Sequence, residues 1–210
     1  IIEAIKSCQV FFVENERTAH RYLKKLWKEM VIDDYEWIVS DGSKPAETLF
    51  KQKLIEDKII GIISEAGCPG VADPGQELIS IAHEMNVAVK PLVGPSSILL
   101  ALMASGMNGQ QFHFIGYLPV KDPERKKSIK DIEAESLKKK STQIFIETPY
   151  RNNQLIDALC KNCKPSTRLC IATDLTGENE WIKTRTIEDW NKNKPDIHKR
   201  PAIFLIDAGK

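Results

Sequence analysis

Long apolar runs are missing from this chain. No stretch approaches the roughly 20 consecutive apolar residues of a membrane-spanning helix, so no membrane association is expected. Cysteine is scarce: five residues, an odd number scattered along the chain. That excludes a disulfide framework and reads as reduced thiols in a cytoplasmic protein. The opening Ile1–Ile5 is short and carries Glu3, so no secretory leader is expected. Repeats and low-complexity tracts are absent, which excludes solenoid and disordered classes. Cys160-Lys161-Asn162-Cys163 is a lone C-x-x-C that closes a helical stretch before Pro165. A zinc or redox site needs a second pair or a strand–helix junction, so no metal is expected.

What remains is an ordinary globular composition: 210 residues, 42% hydrophobic and 28% charged. The net charge of +1 conceals an asymmetry. Residues 1–115 hold 11 basic and 15 acidic side chains, whereas residues 116–210 hold 19 and 14. A basic second half is suited to an anionic partner.

The chain is organised around residues 59–75. Ile59–Ile63 is a run of branched residues without alternation, which reads as a strand buried on both faces of a parallel sheet. It ends in Ser64-Glu65-Ala66-Gly67-Cys68-Pro69-Gly70-Val71-Ala72-Asp73-Pro74-Gly75, and a helix over 76–84 follows. Ordinary strand–helix connections run to about 2–6 residues, so this longer loop reads as a ligand loop. Its glycines permit positive φ and close approach of a ligand to the backbone. Ligands of parallel sheets bind beyond the carboxyl ends of the strands.

The pattern elsewhere alternates strands with helices, which predicts an α/β protein. Gln9–Val13 reads as a strand, and Asn15 caps a helix whose Tyr22, Leu23, Leu26 and Trp27 lie near one face. Tyr35–Val39, Val87–Val93, Gln143–Glu147, Arg168–Thr173 and Ala202–Ile206 read as further strands, Trp181–Thr184 as part of a hairpin, and Phe112–Leu118 is another apolar stretch, ending at Pro119. Pro45 opens a helix through Glu56, and helices are expected over 98–104, 121–140 and 152–159. Val93-Gly94-Pro95-Ser96-Ser97 is a second Gly/Pro loop. The two serines sit at a helix start that suits a carboxylate or phosphate, or simply cap the helix. Composition shifts near residue 116, which suggests two lobes, 1–115 and 116–210, with a site between them. Arg125-Lys126-Lys127 offers phosphate contacts on an otherwise mixed-charge helix.

Several of these loops resemble the motifs of one family. Ser64-Glu65-Ala66-Gly67-Cys68-Pro69 with Asp73-Pro74-Gly75 resembles S-D-A-G-T-P…D-P-G. Val93-Gly94-Pro95-Ser96-Ser97 is similar to P-G-P-S/C, and Phe114-Ile115-Gly116-Tyr117-Leu118-Pro119 to G-F-L-P. Phe145-Ile146-Glu147-Thr148-Pro149-Tyr150-Arg151 resembles F-Y-E-S-P-H-R, Ala172-Thr173-Asp174-Leu175-Thr176 resembles A-R-E-L-T, and Ile203–Gly209 resembles V-L-V-V-E-G. The family is that of bacterial methyltransferases acting on the 2′-hydroxyl of small-subunit ribosomal RNA, within the tetrapyrrole methylase superfamily.

The resemblance implies two α/β lobes with S-adenosylmethionine in the cleft between them, a homodimer, and ribosomal RNA or the small ribosomal subunit as partner. It implies that Gly67, Cys68, Val71, Ser96 and Ser97 line the cofactor, with Ile146, Ala172 and Ala202 from the second lobe. Candidate bases for a ribose hydroxyl are Glu14, Asp73 and Glu147. Arg17, Arg125, Lys126 and Arg151 are candidate substrate contacts. Each candidate base also has a structural reading: Glu14 pairing with Arg17, Asp73 capping the next helix, Glu147 anchoring Arg151. Two positions depart from the motifs by losing a positive charge, Thr173 and Gly177, and the family's opening strand and Gly loop have no counterpart here. A methylase acting on a tetrapyrrole or other small molecule, and a non-catalytic homologue, are the alternatives.

Overall fold

A computed structural model describes residues 1–40 and 42–209. Two compact units make up the chain, Ile1–Pro95 and Ser96–Lys210. The division falls ahead of the composition shift near residue 116, so the segment 96–115 goes with the second unit.

The first unit is built on a parallel sheet of three strands, β1 (Val10–Val13), β2 (Glu36–Val39) and β3 (Ile60–Ile63), in the order β2-β1-β3. β1 is buried at every position. Side chains alternate across a strand, so Val10 and Phe12 face one layer while Phe11 and Val13 face the other. Val10 and Phe12 pack with Phe50 of α3 (Lys44–Ile55) and with Leu78, Ile81 and Ala82 of α4 (Gln76–Glu84). Phe11 and Val13 pack with Ile5 of α1 (Ile2–Ser7), Ala19 and Leu23 of α2 (Glu16–Leu26), and Met30. Asn15 caps α2 as the sequence suggests, its Oδ1 accepting the Thr18 amide at 3.2 Å.

Three expectations are corrected here. β3 is half-buried rather than buried on both faces, because among the described residues it pairs with β1 alone. Val87–Val93 forms no strand: Val89, Leu92 and Val93 are exposed, Val93 to 92%. An apolar, β-branched run becomes a strand only where a neighbour completes its backbone hydrogen bonds. On α2 the inward face is Ala19 and Leu23, and Tyr22 and Leu26 are exposed.

The second unit holds a five-stranded mixed sheet. Its strands are β4 (Phe112–Tyr117), β5 (Thr142–Ile146), β6 (Arg168–Thr173), β7 (Trp181–Thr186) and β8 (Ala202–Asp207), ordered β4-β5-β8-β6-β7. Only β4 and β5 run parallel. One face packs on α6 (Glu124–Lys139), α7 (Asn152–Asn162) and α8 (Ile187–Lys192), through residues such as Ile129, Leu155, Phe204 and Trp190. The Trp190 indole N–H donates to the Leu169 carbonyl at 2.9 Å, which satisfies its one polar atom inside the core. The other face, carrying Ile144, Cys170, Ala172, Ile203 and Leu205, is covered by Ala101 and Leu102 of α5 (Ser97–Ser105). That packing is why α5 belongs to this unit. Cys160 and Cys163 are core residues of the helical face, and burial pushes both thiols up from their usual range.

Gly61 of β3 lies opposite Phe11 of β1. A Cβ there would stand 2.5 Å from the Phe11 ring, which is buried and stacked on Trp37 with centroids 4.8 Å apart. Gly61→Ala should therefore displace an aromatic cluster and destabilise the chain by about 1–3 kcal/mol, the usual cost of overpacking. Urea unfolding measures this; an unchanged midpoint would show that Phe11 moves freely.

Candidate functional site

Parallel strands end on the same side of their sheet, so the loops after β1 and β3 leave together. The first carries Glu14 and the second Glu65. The Glu65 amide donates to Glu14 Oε2 at 2.8 Å, and the Thr18 hydroxyl donates to Glu65 Oε1 at 2.8 Å. Glu14 therefore braces the β3 loop. It does not pair with Arg17, which is exposed and forms no ion pair among the described residues.

The loop itself folds back in tight turns. The Gly70 amide donates to the Pro74 carbonyl at 3.1 Å and the Val71 amide to the Cys68 carbonyl at 3.1 Å. Such turns demand left-handed backbone: φ is 79° at Gly67, 76° at Gly70 and 123° at Gly75, and Ala72 is held at 63° despite its Cβ. A non-glycine residue in that region stores strain, which is common where a loop is shaped for a ligand. Gly67 and Val71 are exposed on this loop and Cys68 is half-buried, its sulfur 3.9 Å from the Pro95 carbonyl.

Asp73 is half-buried within the same turns. A Cβ at Gly67 would lie 3.6 Å from its Oδ2. It does not cap α4, whose N-cap is Gly75 with no side-chain hydrogen bond. Burial pushes its carboxyl above the usual range, and the negative charge of Glu14 pushes it further. Two candidate bases are thus brought into one electrostatic neighbourhood, one tied to an amide and the other with its carboxyl pushed up from its usual range.

The second unit places the other candidates separately. Glu147 is buried, and its Oε1 accepts the Thr148 amide at 2.7 Å together with Arg151 Nε at 3.0 Å and Nη2 at 2.7 Å. These bonds make it the anchor of Arg151, whose guanidinium they push up. Arg125 is mostly covered, its side chain 17% exposed and 3.8 Å from Asp122, while Lys126 is exposed. Ile146 packs half-buried against the α5 face; Ala172 is fully enclosed in that core, and Ala202 is half-buried at the start of β8. Ser96 is the N-cap residue of α5 but makes no side-chain capping bond, so the simple capping role is not what its hydroxyl performs. Ser97 is exposed in the first turn.

Sequence reasoning overlooked Glu65 and Thr18. Glu65 stands at the acidic position of the S-D-A-G-like motif, and its amide is what fixes Glu14. Their link spans 47 residues of sequence and needed the strand pairing to be seen.

Asp73→Asn removes a carboxylate whose ionisation the fold opposes. A carboxyl with a raised native pKa binds its proton more tightly folded than unfolded, so ionisation costs stability above the unfolded pKa. The variant should therefore gain thermal stability relative to wild type at pH 7 and lose that advantage near pH 3. Thermal unfolding at both values checks this; a variant less stable at pH 7 would contradict the assigned electrostatics.

Comparison with known proteins places these loops in a lineage. The family model of the Tetrapyrrole (Corrin/Porphyrin) Methylases matches residues 1–190. Among curated proteins, the Ribosomal RNA small subunit methyltransferase I of Halalkalibacterium halodurans is 36% identical over 155 residues, covering 72% of this chain and 52% of its own length. That of Escherichia coli O157:H7 is 31% identical over 168 residues, 79% of this chain and 57% of its own. The chain thus spans about half the length of these relatives, and 73% of the one from Buchnera aphidicola subsp. Acyrthosiphon pisum, at 29% identity over the whole chain. Among solved structures, the methyltransferase CobJ has a TM-score of 0.62 at 14% identity, covering 98% of this chain and 85% of its own. The uroporphyrin-III-C-methyltransferase from Thermus thermophilus has a TM-score of 0.57 at 15% identity, covering 99% and 86%. These structures share the fold, and with the match over residues 1–190 the chain belongs to the tetrapyrrole (corrin/porphyrin) methylase family.

Proposed function

We propose that this chain is an S-adenosylmethionine-dependent methyltransferase that methylates a ribose 2′-hydroxyl of ribosomal RNA. The observation that carries the reading is its likeness, through most of its length, to proteins named Ribosomal RNA small subunit methyltransferase I. The site chemistry supports it. S-adenosylmethionine supplies an electrophilic methyl group on a sulfonium, together with an amino-acid carboxylate, an ammonium and a nucleoside. The left-handed turn at exposed Gly67 leaves backbone open for close approach, and Glu14 and Asp73 supply negative charge suited to a cation. The donor set of the β3 loop therefore fits such a group.

The residues of this chain then have distinct tasks. Glu14, held by the Glu65 amide, keeps the loop in register with the end of β1. Asp73, with its raised proton affinity, accepts the proton that a ribose hydroxyl releases as its oxygen attacks. A base of low pKa would do this less well, and the neighbouring Glu14 charge is the tuning element. Glu147 acts as the positioning residue for Arg151, which it aims and holds ionised for contact with a phosphate. No helix among the described residues is long and apolar enough to cross a membrane. The reading includes work in the cytoplasm, on the small ribosomal subunit, as a homodimer.

Calorimetric titration of S-adenosylmethionine into the 210-residue chain tests the cofactor, and methyl transfer to small-subunit ribosomal RNA tests the acceptor. Saturable binding at one site per chain and a 2′-O-methylated nucleotide are expected. Asp73→Asn should keep the binding and lower the rate by roughly 10²–10⁴, the usual worth of a general base. Transfer to a tetrapyrrole and not to RNA would replace the acceptor, and no binding at all would leave a non-catalytic homologue.

A further inference from the structure

The second unit carries a groove that none of the expected site residues occupies. It has a volume of about 710 Å³ and runs from Asp174 and Trp181 to Ile197 and Arg200. A smaller one beside it shares Trp181 and Pro195 and is lined by Lys183, Arg185 and Trp190. Both lie along β7, which among the described residues pairs with β6 alone and so forms the sheet edge. Trp181, Lys183 and Arg185 alternate with Ile182 and Thr184, and side chains two apart share one face of a strand. The opposite face turns inward: Ile182 packs on the α5 core and the Thr184 hydroxyl donates to the Ser105 carbonyl. The outward face is thus an aromatic ring followed by two cations.

Across the two grooves the lining holds four cations and three carboxylates. Each carboxylate has a partner within the fold, Asp174 a cation and Glu180 and Asp196 neutral amides. Asp174 takes Arg200 Nε at 2.6 Å, Glu180 accepts the Thr176 amide at 2.7 Å, and Asp196 accepts Asn153 Nδ2 at 2.8 Å and the His198 amide at 3.1 Å. Of the four cations Arg200 is paired with Asp174, while Lys183, Arg185 and Lys199 form no ion pair among the described residues. Two of them lie over rings instead, Arg185 at 5.3 Å from the Trp190 centroid and Lys199 at 5.8 Å from that of Tyr150. Tyr150 is 67% exposed, with His198 edge-on to it at 6.1 Å. Unpaired cations beside the partly exposed Trp181 and the exposed Tyr150 suit a single-stranded nucleic acid. Its phosphates seek the cations, and its unstacked bases seek the rings. A duplex hides its bases and an acidic peptide has no flat faces to stack.

We propose that this groove binds a single-stranded segment of RNA, with bases on Trp181 and Tyr150 and phosphates on Lys183, Arg185 and Lys199. The identity of the polyanion rests on the RNA-methylating reading above. The position agrees with it: Asp174 directly follows β6 and Arg200 lies two residues before β8, whose ends carry Ala172 and Ala202.

Fluorescence anisotropy of a labelled single-stranded oligoribonucleotide, with the full 210-residue chain, tests the groove between about 50 and 200 mM salt. The double variant Lys183→Glu with Lys199→Glu changes two exposed side chains, and circular dichroism confirms its folding. Affinity should fall at least roughly tenfold, and the slope of log affinity against log salt should shrink by about two. Tyr150→Ala, also on the surface, should cost about tenfold from lost stacking. Duplex RNA of the same sequence should bind more weakly. Unchanged affinity and slope in the double variant would overturn the proposal, as would a heparin fragment binding like RNA with no effect of Tyr150→Ala. S-adenosylmethionine binding is measured on the same samples. Cofactor binding with RNA affinity untouched by these variants refutes the groove alone. Groove-dependent RNA binding without cofactor binding supports the groove and refutes the methyltransferase reading alone.

Discussion

The parallel pairing of β1 with β3 is the constraint on which the first unit depends. It makes both strands finish at one edge, so residues separated by about fifty positions in sequence share hydrogen bonds. β1 can hold that central place because Val10–Val13 is apolar on both faces and finds helices on each. Burying four such side chains offsets the entropy of fixing the strand, at roughly 1.5–3 kcal/mol for each large one. The Gly61–Phe11 contact tightens the same pairing, since only a residue without a side chain admits the ring.

That scaffold carries a loop that is less stable than it could be. Ala72 sits in left-handed backbone and Asp73 is half-buried beside a second carboxylate without a partner that would favour its ionisation. Both features work against folding, and both lie in the loop proposed to carry the chemistry. Strain and a displaced pKa are the marks of a site whose shape is set by use rather than by stability. Glu147 shows the opposite economy. Its buried carboxylate is held through Oε1 by Arg151 and the Thr148 amide, so it fixes geometry.

In the second unit the two sheet faces are divided by role. The face toward α6, α7 and α8 contains a large core, anchored by Trp190, and at the β7 edge it grades into the half-buried Trp181 and the cations Lys183 and Arg185. The face toward α5 is continuous apolar packing in which Ala172 is enclosed. An edge strand with charged and aromatic outward positions resists pairing with another sheet and remains available to a different kind of partner.

Much of this was already written in the sequence. Strand and helix periodicity located most elements, Asn15 announced its cap, and the glycine spacing of residues 67–75 marked the tight turns after β3, because these signals depend on a residue and its near neighbours. The family motifs were likewise local strings. The sequence could not say that Val87–Val93 stays unpaired or that β3 lies at an edge, since β pairing depends on a partner distant in the chain. Nor could it place α5 with the second unit, which follows from Ala101 and Leu102 meeting Ile203 and Leu205. It offered Glu14, Asp73 and Glu147 as equals. Only tertiary structure separated them, by tying Glu14 to the Glu65 amide, locking Glu147 to Arg151, and leaving Asp73 half-buried beside a like charge, because proton affinity is set by the groups that surround a carboxyl and not by its place in the chain.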